Sequence, residues 1–533
     1  MQEIVKNKSY KSPHRKLIRF FEKSRNQWKT KCQKAKKALK LLKNKIRFLE
    51  ASKNYWKSRV KELEDELAQL KGNDQAKQDD FDELEKKTAE KSIELFEPFT
   101  QVPFHHKYSV AHIQLFLTFV LSAASSLRCA SRMFEVVASF FQLTLGFPSY
   151  SSGRFWLLRL GYYKLTRPKE VSDDWVWIID HTVQAGEDKC FVILGLRLAF
   201  LPQVGKCLRH EDVEPIEVLP VKKSNGEIVY EQLESASKKT GIPREIICDK
   251  GTDLNSGVEK FCIAHPETSF IYDIKHKIAT ILKRELSSDD IWQEFTQLAG
   301  KTKHQINQTP LAFLMPPNQK TKARYMNIDT LIQWGGNLLN FLESQDEETI
   351  KQYDPEKLQL KLGWITRFRK PLKEWGELIE IITIIENFVR TQGLYHGASH
   401  DLEKKFTSPT NTNRTRQVQE ELVRFVAQES FKAKPNERLL GSSEVIESVF
   451  GKLKRLEKDQ AKNGFTSMVL SIAAMVSSTT REVIQKAMET IPTKKIAEWS
   501  IENIGQSFQS KRKKAFVFNK DEEQKWDQLS LAK

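Results

Sequence analysis

The sequence predicts an α/β core, a mixed five-stranded sheet with flanking helices. An all-helical insertion interrupts it, and a coiled coil and a helix-turn-helix-like segment precede it. Three features carry this reading. Between residues 174 and 274, three apolar, β-branched runs follow one another and then alternate with helical spacing. From 276 to 434 the pattern is helical with little strand signal. Residues 18–70 hold one heptad register.

In that register the a positions run from Ile18 through Leu39 and Ile46 to Leu67, and the d positions from Phe21 through Leu42 and Leu49 to Leu70. Only Arg25 and Lys53 break the apolar seam, and no Pro or Gly interrupts it. Such a seam predicts a coiled coil and, through it, a homodimer or higher homo-oligomer. Most of the net charge of +17 lies at this end, where the first fifty residues hold 17 Lys/Arg against 3 Asp/Glu. A basic arm of that kind suits a phosphate-bearing partner. Residues 1–90 are therefore read as basic arm, dimerising coil and linker.

Residues 91–170 read as a helical DNA-binding domain. A helical apolar stretch over 109–141 breaks at Gly146-Phe147-Pro148, and a Ser-started helix follows over 149–165 with Arg154, Arg159 and Lys164. Helix, turn and cationic helix suggest a helix-turn-helix with those three residues on DNA.

The core begins after Pro168. Strands are expected at 174–182, 190–198, 215–221, 245–249 and 269–274, and helices at 230–240 and 255–264. The order β-β-β-α-β-α-β implies a mixed sheet. Residues 171–275 form its first part. The insertion spans 276–434, its helices separated by prolines such as Pro310 and Pro371, with Trp292, Trp334, Trp364 and Trp375 read as core residues. Residues 435–490 complete the core through a helix over 442–455 and another over 468–488, and 491–533 form a basic tail.

Composition narrows the function. Six cysteines lie scattered with no Cys-x-x-Cys pair, so neither a disulfide framework nor a zinc ribbon is indicated. Cys207/His210 and Cys262/His265 are half-sites read as loop residues. The most apolar run, 110–127, contains His112, Gln114 and Thr118 and fits a buried helix better than a membrane span. With no apolar leader, a reducing, cytoplasmic, nucleoid-associated protein is expected.

Asp180 and Asp249 each close an apolar strand run. The C-terminal ends of neighbouring strands are where ligands gather in an open sheet. Two carboxylates side by side repel, and a divalent cation relieves the repulsion. Glu447, on the 442–455 helix, is a third oxygen donor, preferred over Glu444. Hard oxygen ligands favour Mg²⁺ or Mn²⁺, and two such ions suit in-line displacement at phosphorus. His181 should face away from Asp180 by strand alternation. Asp253 and Asp273 are read as surface acids.

Three segments now resemble a known family. Ile179-Asp180-His181, Cys248-Asp249 before Lys250-Gly251-Thr252, and Ile446-Glu447 with Lys454 seven residues on look like the motifs of DDE transposases. Their core is the RNase H-like (retroviral-integrase) fold. The long separation of Asp249 from Glu447 is similar to that of bacterial insertion-sequence transposases with an inserted domain. The Tyr and Arg of one subgroup's signature are replaced by Leu440 and Ser443. The resemblance implies cleavage at transposon ends and strand transfer into target DNA, with Asp180, Asp249 and Glu447 holding two metal ions. Lys454 and Lys452 would contact phosphates of double-stranded DNA. Asp273-x-x-His276 resembles an element with a supporting role. The competing readings are a catalytically silent, transposase-derived DNA-binding protein and a metal-dependent nuclease without strand transfer.

Overall fold

A computed structural model describes residues 102–140, 146–183, 188–319, 325, 328–344, 354–407, 410, 412–458 and 466–506, with isolated positions elsewhere. The coiled-coil seam lies outside the described residues, apart from single helical positions such as Trp28 and Lys53. The chain divides into two units, Met1–Glu97 and Pro98–Lys533, and every element below belongs to the second. Among the described residues no helix is long and apolar enough to cross a membrane.

The sheet is mixed, in the order β3-β2-β1-β4-β5. Its strands are β1 (Trp175–Val183), β2 (Lys189–Arg197), β3 (Glu214–Val221), β4 (Glu245–Cys248) and β5 (Ser269–Tyr272). β2 runs antiparallel to both β1 and β3, while β4 runs parallel to β1 and β5. β1 is central and apolar on both sides: Trp175, Trp177 and Ile179 enter one core, Val176 and Ile178 the other. That two-sided burial is what its unbroken apolar run encodes.

The smaller core lies under two helices, α4 (Gly226–Thr240) and α5 (Thr252–Ala264), through Val229, Leu233, Val258 and Phe261. The first three helices are α1 (Val110–Leu121), α2 (Leu127–Phe140) and α3 (Tyr150–Thr166). On the opposite face of the sheet lie α3 and two helices from the far end of the chain, α13 (Glu444–Lys458) and α14 (Ser471–Met475), while α15 (Arg481–Thr490) packs on α3 and α1. The apolar side of α13, Val445, Ile446, Val449 and Leu453, is buried there.

The segment read as a helix-turn-helix packs closely with the far end of the chain. α3 is packed against α14, α15 and α16 (Thr493–Asn503) rather than standing in a separate domain. The approach is close: a Cβ on Gly161 would lie 2.0 Å from the Leu470 carbonyl oxygen, so only glycine fits. The basic tail likewise begins as α16, with Ile496 buried. The single helix expected over 468–488 breaks between Val476 and Thr480, and Ser477 takes a left-handed conformation (φ 54°).

The insertion is all-helical among its described residues. It comprises α6 (Ile274–Ser287), α7 (Asp290–Ile306), α8 (Asp329–Glu343), α9 (Pro355–Leu362), α10 (Arg369–Gln392), α11 (Ala398–Glu403) and α12 (Asn413–Ser430). Its tryptophans are core residues. Phe295 lies 5.2 Å from Trp375 and 5.9 Å from Trp364, ring to ring, and Trp375 meets Trp292 edge-on at 4.9 Å. The Trp364 indole N–H donates to Thr302 Oγ1 and that of Trp334 to the Leu314 carbonyl. Polar tips satisfied inside an aromatic cluster mark packing, not base stacking.

Candidate active site

The sheet register sets two carboxylates side by side. β1 and β4 pair through Val176 with Glu245, Trp177 with Ile246 and Ile178 with Ile247. Two residues further along each chain come Asp180 and Asp249. Alternation keeps them on the face of Ile178 and Ile247, the side on which α13 packs. Asp180 accepts a hydrogen bond from the His181 N–H (2.6 Å), and Asp249 from the Gly251 N–H (3.0 Å). Burial, and then the charge of Asp249, push the Asp180 carboxyl up to about 7. His181 faces the other way: its ring lies 5.3 Å from Phe191, with Nε2 3.3 Å from Ser224 Oγ and Nδ1 3.8 Å from Asp253.

Glu447 reaches this face because the segment before α13 is fixed at four points. Arg244 pairs with Glu437 (2.7 Å), and Glu245 accepts from the Leu440 N–H (3.0 Å). The Ile274 N–H donates to the Gly441 carbonyl (3.1 Å). Asp273 accepts from both the N–H (2.6 Å) and the hydroxyl (3.0 Å) of Ser443. A Cβ on Gly441 would come within 2.2 Å of Val389, so this crossing requires glycine. Asp273 also accepts from the His276 N–H (2.8 Å) and thereby caps α6. It is fully buried, not the surface acid expected.

The first turn of α6 then meets Glu447. Lys275 Nζ stands 3.3 Å from Glu447 Oε2, and His276 Nε2 3.2 Å from Oε1. Burial alone would raise Glu447, but His276 and Lys275 outweigh it and hold the carboxyl below its ordinary value. Burial opposes a charged His276, yet Glu447, Asp273 and Asp249 carry its pKa up to about 9. Glu444 points elsewhere and pairs with Arg390 at 3.1 Å.

The cations read as DNA contacts divide. Lys454 is exposed on α13, and Lys452 donates to His210 Nδ1 at 2.9 Å. Arg159 and Lys164 are buried and engaged inside the fold, which leaves them unavailable as DNA contacts, while Arg154 is half-buried. Arg154 donates to Ser467 Oγ (3.0 Å). Arg159 donates to the Met488 and Ile491 carbonyls at the end of α15. Lys164, fully buried, donates to the carbonyls of Val476 (2.7 Å) and Ser477 (2.9 Å) and to Thr479 Oγ1 (2.7 Å) beyond the end of α14. Cations at helix C-termini satisfy orphan carbonyls and the dipole. Sequence reasoning missed Lys275, which carries no motif, and the tie from Asp273 to Ser443.

The donor set suits a hard cation in part. Asp180 and Asp249 repel each other at one level of the sheet, while Glu447 Oε1 is already occupied by His276 Nε2 at 3.2 Å. Yet among the described residues no three His, Cys, Asp or Glu side chains cluster tightly enough to hold one ion. Glu447 is held instead by two cations, Lys275 and His276.

No protein-family model matches the chain, and no curated protein matches it. Among solved structures the chain is similar to the Drosophila P element transposase strand transfer complex, with 10% identity and a TM-score of 0.28. The similarity covers 80% of this chain and 89% of that one.

Proposed function

We propose that the chain is a polynucleotidyl transferase of the DDE transposase kind, with an RNase H-like core, that cleaves transposon ends and joins them to target DNA. The observation that carries this is the β1–β4 register, which brings Asp180 and Asp249 to one level on the face where α13 bears Glu447. In this reading Asp180, Asp249 and Glu447 would hold two Mg²⁺ or Mn²⁺ ions. Bound there, the ions would activate a water or 3′-hydroxyl and stabilise the leaving oxygen. The chain's own work is positional. Asp273 fixes the start of α13, Lys275 and His276 hold Glu447 ionised, and Lys454, two turns beyond Glu447 on the same helix, meets the DNA backbone.

Incubating the protein with duplexes bearing its flanking terminal repeats and Mg²⁺ tests the reading. Cleavage and joined products are expected from the wild type, and neither from Asp249→Asn or in EDTA. A second reading draws on the two cations already paired with Glu447: a transposase-derived protein that binds DNA without cutting it. Binding with no cleavage by the wild type would establish that reading and sink the first. Cleavage without joining would make the protein a nuclease.

A further inference from the structure

Four of the five strands deliver their C-terminal ends to one edge of the sheet. β2 is antiparallel to β1 and β3, and β4 is parallel to β1 and β5, so β1, β3, β4 and β5 all point the same way. Asp180 and Asp249 occupy the middle of that edge. On one side of them, past β2, β3 runs out into Lys222 and Lys223. On the other side Lys250 follows Asp249 directly. All three lysines are exposed, and among the described residues none forms a salt bridge.

Each lysine is placed without being neutralised. The Lys222–Lys223 turn is tied to the acids through Ser224, whose Oγ lies 3.3 Å from Nε2 of His181, the neighbour of Asp180. Asn225 closes the turn by accepting the Ile228 N–H (2.9 Å) and capping α4. A Cβ on Gly226 would come within 2.4 Å of Ser256 Oγ, so the start of α4 lies tight on α5. Two acids beside the turn are already taken: Asp253 by Lys189 (3.6 Å) and His181 (3.8 Å), and Glu227 by Lys260. Across the site, the Lys250 ammonium sits 5.0 Å from the centroid of the Tyr272 ring. That ring is fixed in turn, its hydroxyl 3.3 Å from Thr280 Oγ1 and Phe425 of α12 edge-on at 6.0 Å. An aromatic face steadies a cation and leaves its charge uncancelled.

The spacing suits a polyanion. Neighbouring strands lie about 4.8 Å apart, so the edge from β3 to β4 spans about 14 Å. A nucleic-acid strand advances ~3.4 Å per nucleotide, which makes that span about four nucleotides. A phosphate chain laid across the edge meets cations at both flanks and the two aspartates between them.

We propose that a DNA strand crosses this edge perpendicular to the β-strands, with Lys222 and Lys223 on its phosphates at one side of Asp180 and Asp249, and Lys250 on a phosphate at the other. That the phosphate between them is the reacting one rests on the transferase reading; the path itself is a binding statement and is tested without cleavage.

The full chain is titrated onto a labelled duplex carrying its flanking terminal repeat, in EDTA, with fluorescence anisotropy read across a salt series. Lys222→Gln and Lys223→Gln together should weaken binding about fiftyfold at ~0.1 M salt and lower the salt-dependence slope by about two. Lys250→Gln should weaken it about tenfold and lower the slope by about one. Lys223→Arg and Lys250→Arg should keep most of the affinity. Lys238→Gln, exposed at the far end of α4 and so at the opposite edge of the sheet, is the control and should leave the slope unchanged. Thermal midpoints verify folding of each variant. With Lys223 or Lys250 replaced by the photocrosslinker p-benzoylphenylalanine, the two marks should fall on one strand, about four nucleotides apart. Marks on separate strands or on the same nucleotide overturn the path, as do unchanged slopes in the lysine variants or an equal loss in Lys238→Gln. Unchanged duplex binding with lost binding of poly-glutamate would assign the edge to an acidic protein segment and overturn the DNA strand. Absent cleavage by the wild type in Mg²⁺ would sink the transferase reading alone, and slopes and crosslinks would still decide the path.

Discussion

α3 and α13 are both cation-bearing helices lying on the same face of the sheet, and they use their cations in opposite directions. Arg159 and Lys164 of α3 turn inward onto the carbonyl ends of α15 and α14. Lys454 and Arg455 of α13 stay exposed, with Lys452 at the lip of a cavity. What separates the two helices is what they pack against. α3 crosses a bundle whose helices stop beneath it, so its long side chains meet carbonyls with no intrahelical donor. α13 puts Val445, Ile446, Val449 and Leu453 inward and leaves its cations on the side away from the core. A basic helix is thus a DNA-binding candidate only after its cations have been checked against neighbouring helix ends.

The sharpest way to break this contrast is Lys164→Met. Replacing a buried ion by an apolar side chain of similar length is often close to neutral when the ion's partners leave with it. Here they do not leave: the Val476 and Ser477 carbonyls and Thr479 Oγ1 stay behind without their donor. Each orphaned buried acceptor costs about 1–3 kcal/mol, so a loss of about 3–5 kcal/mol is expected from urea denaturation. A loss below about 1 kcal/mol would mean that Lys164 is not the cap of α14.

Most of the sheet was legible because its signals are local. All five strands lie within a residue or two of their expected bounds, since runs such as 175–179 read the same in sequence as in structure. The tryptophans of the insertion were legible as core for the same reason. The placement of Asp180 and Asp249 at the ends of neighbouring strands was legible because each ends such a run, and that of Glu447 on a helix because Val445, Val449 and Leu453 recur at helical spacing. Arg159 and Lys164 were misread because their acceptors lie more than 300 residues away in sequence. The tie from Asp273 to Ser443 and the contact of Lys275 with Glu447 are equally remote, 170 and 172 residues apart. No periodicity reports such pairs. The helix break at Val476 escaped too, because the lysine that satisfies its carbonyls belongs to α3.

The same inward and outward use recurs among acids at the two ends of β4. Asp249 lies at the candidate site, while Glu245, fully buried, accepts from Leu440 N–H and leaves Oε1 without a partner. Burial, only partly offset by that hydrogen bond and Arg244, raises the Glu245 carboxyl from 4.5 to about 8. A carboxyl raised on folding binds more protons in the native state between those two values. Its contribution to stability is therefore complete below pH 4.5 and is lost as pH rises through about 8. Glu245→Gln keeps an acceptor for Leu440 and removes the titration. It should flatten the stability–pH curve over this window and make the protein more stable at the alkaline end, by an amount on the order of 5 kcal/mol. Denaturation midpoints at a series of pH values report it, and parallel curves for the two proteins would show that Glu245 does not titrate there.

The smallest effect belongs to the outward cations and completes the contrast with Lys164. Among the described residues Lys454 is exposed and makes no salt bridge or hydrogen bond; only its charge acts on Glu457, three residues further along α13. Lys454→Gln should shift the free energy of unfolding by no more than about 0.5 kcal/mol. Under the proposed function it should still lower the salt-dependence slope of duplex binding by about one, since one phosphate contact goes with it. Stability and binding then separate cleanly between the two helices. Lys164→Met would cost folding and change binding only through it, whereas Lys454→Gln would cost binding and leave folding alone. A Lys454→Gln protein that unfolds at lower urea, with its duplex affinity intact, would reverse the assignment and place this side chain with the inward cations of α3.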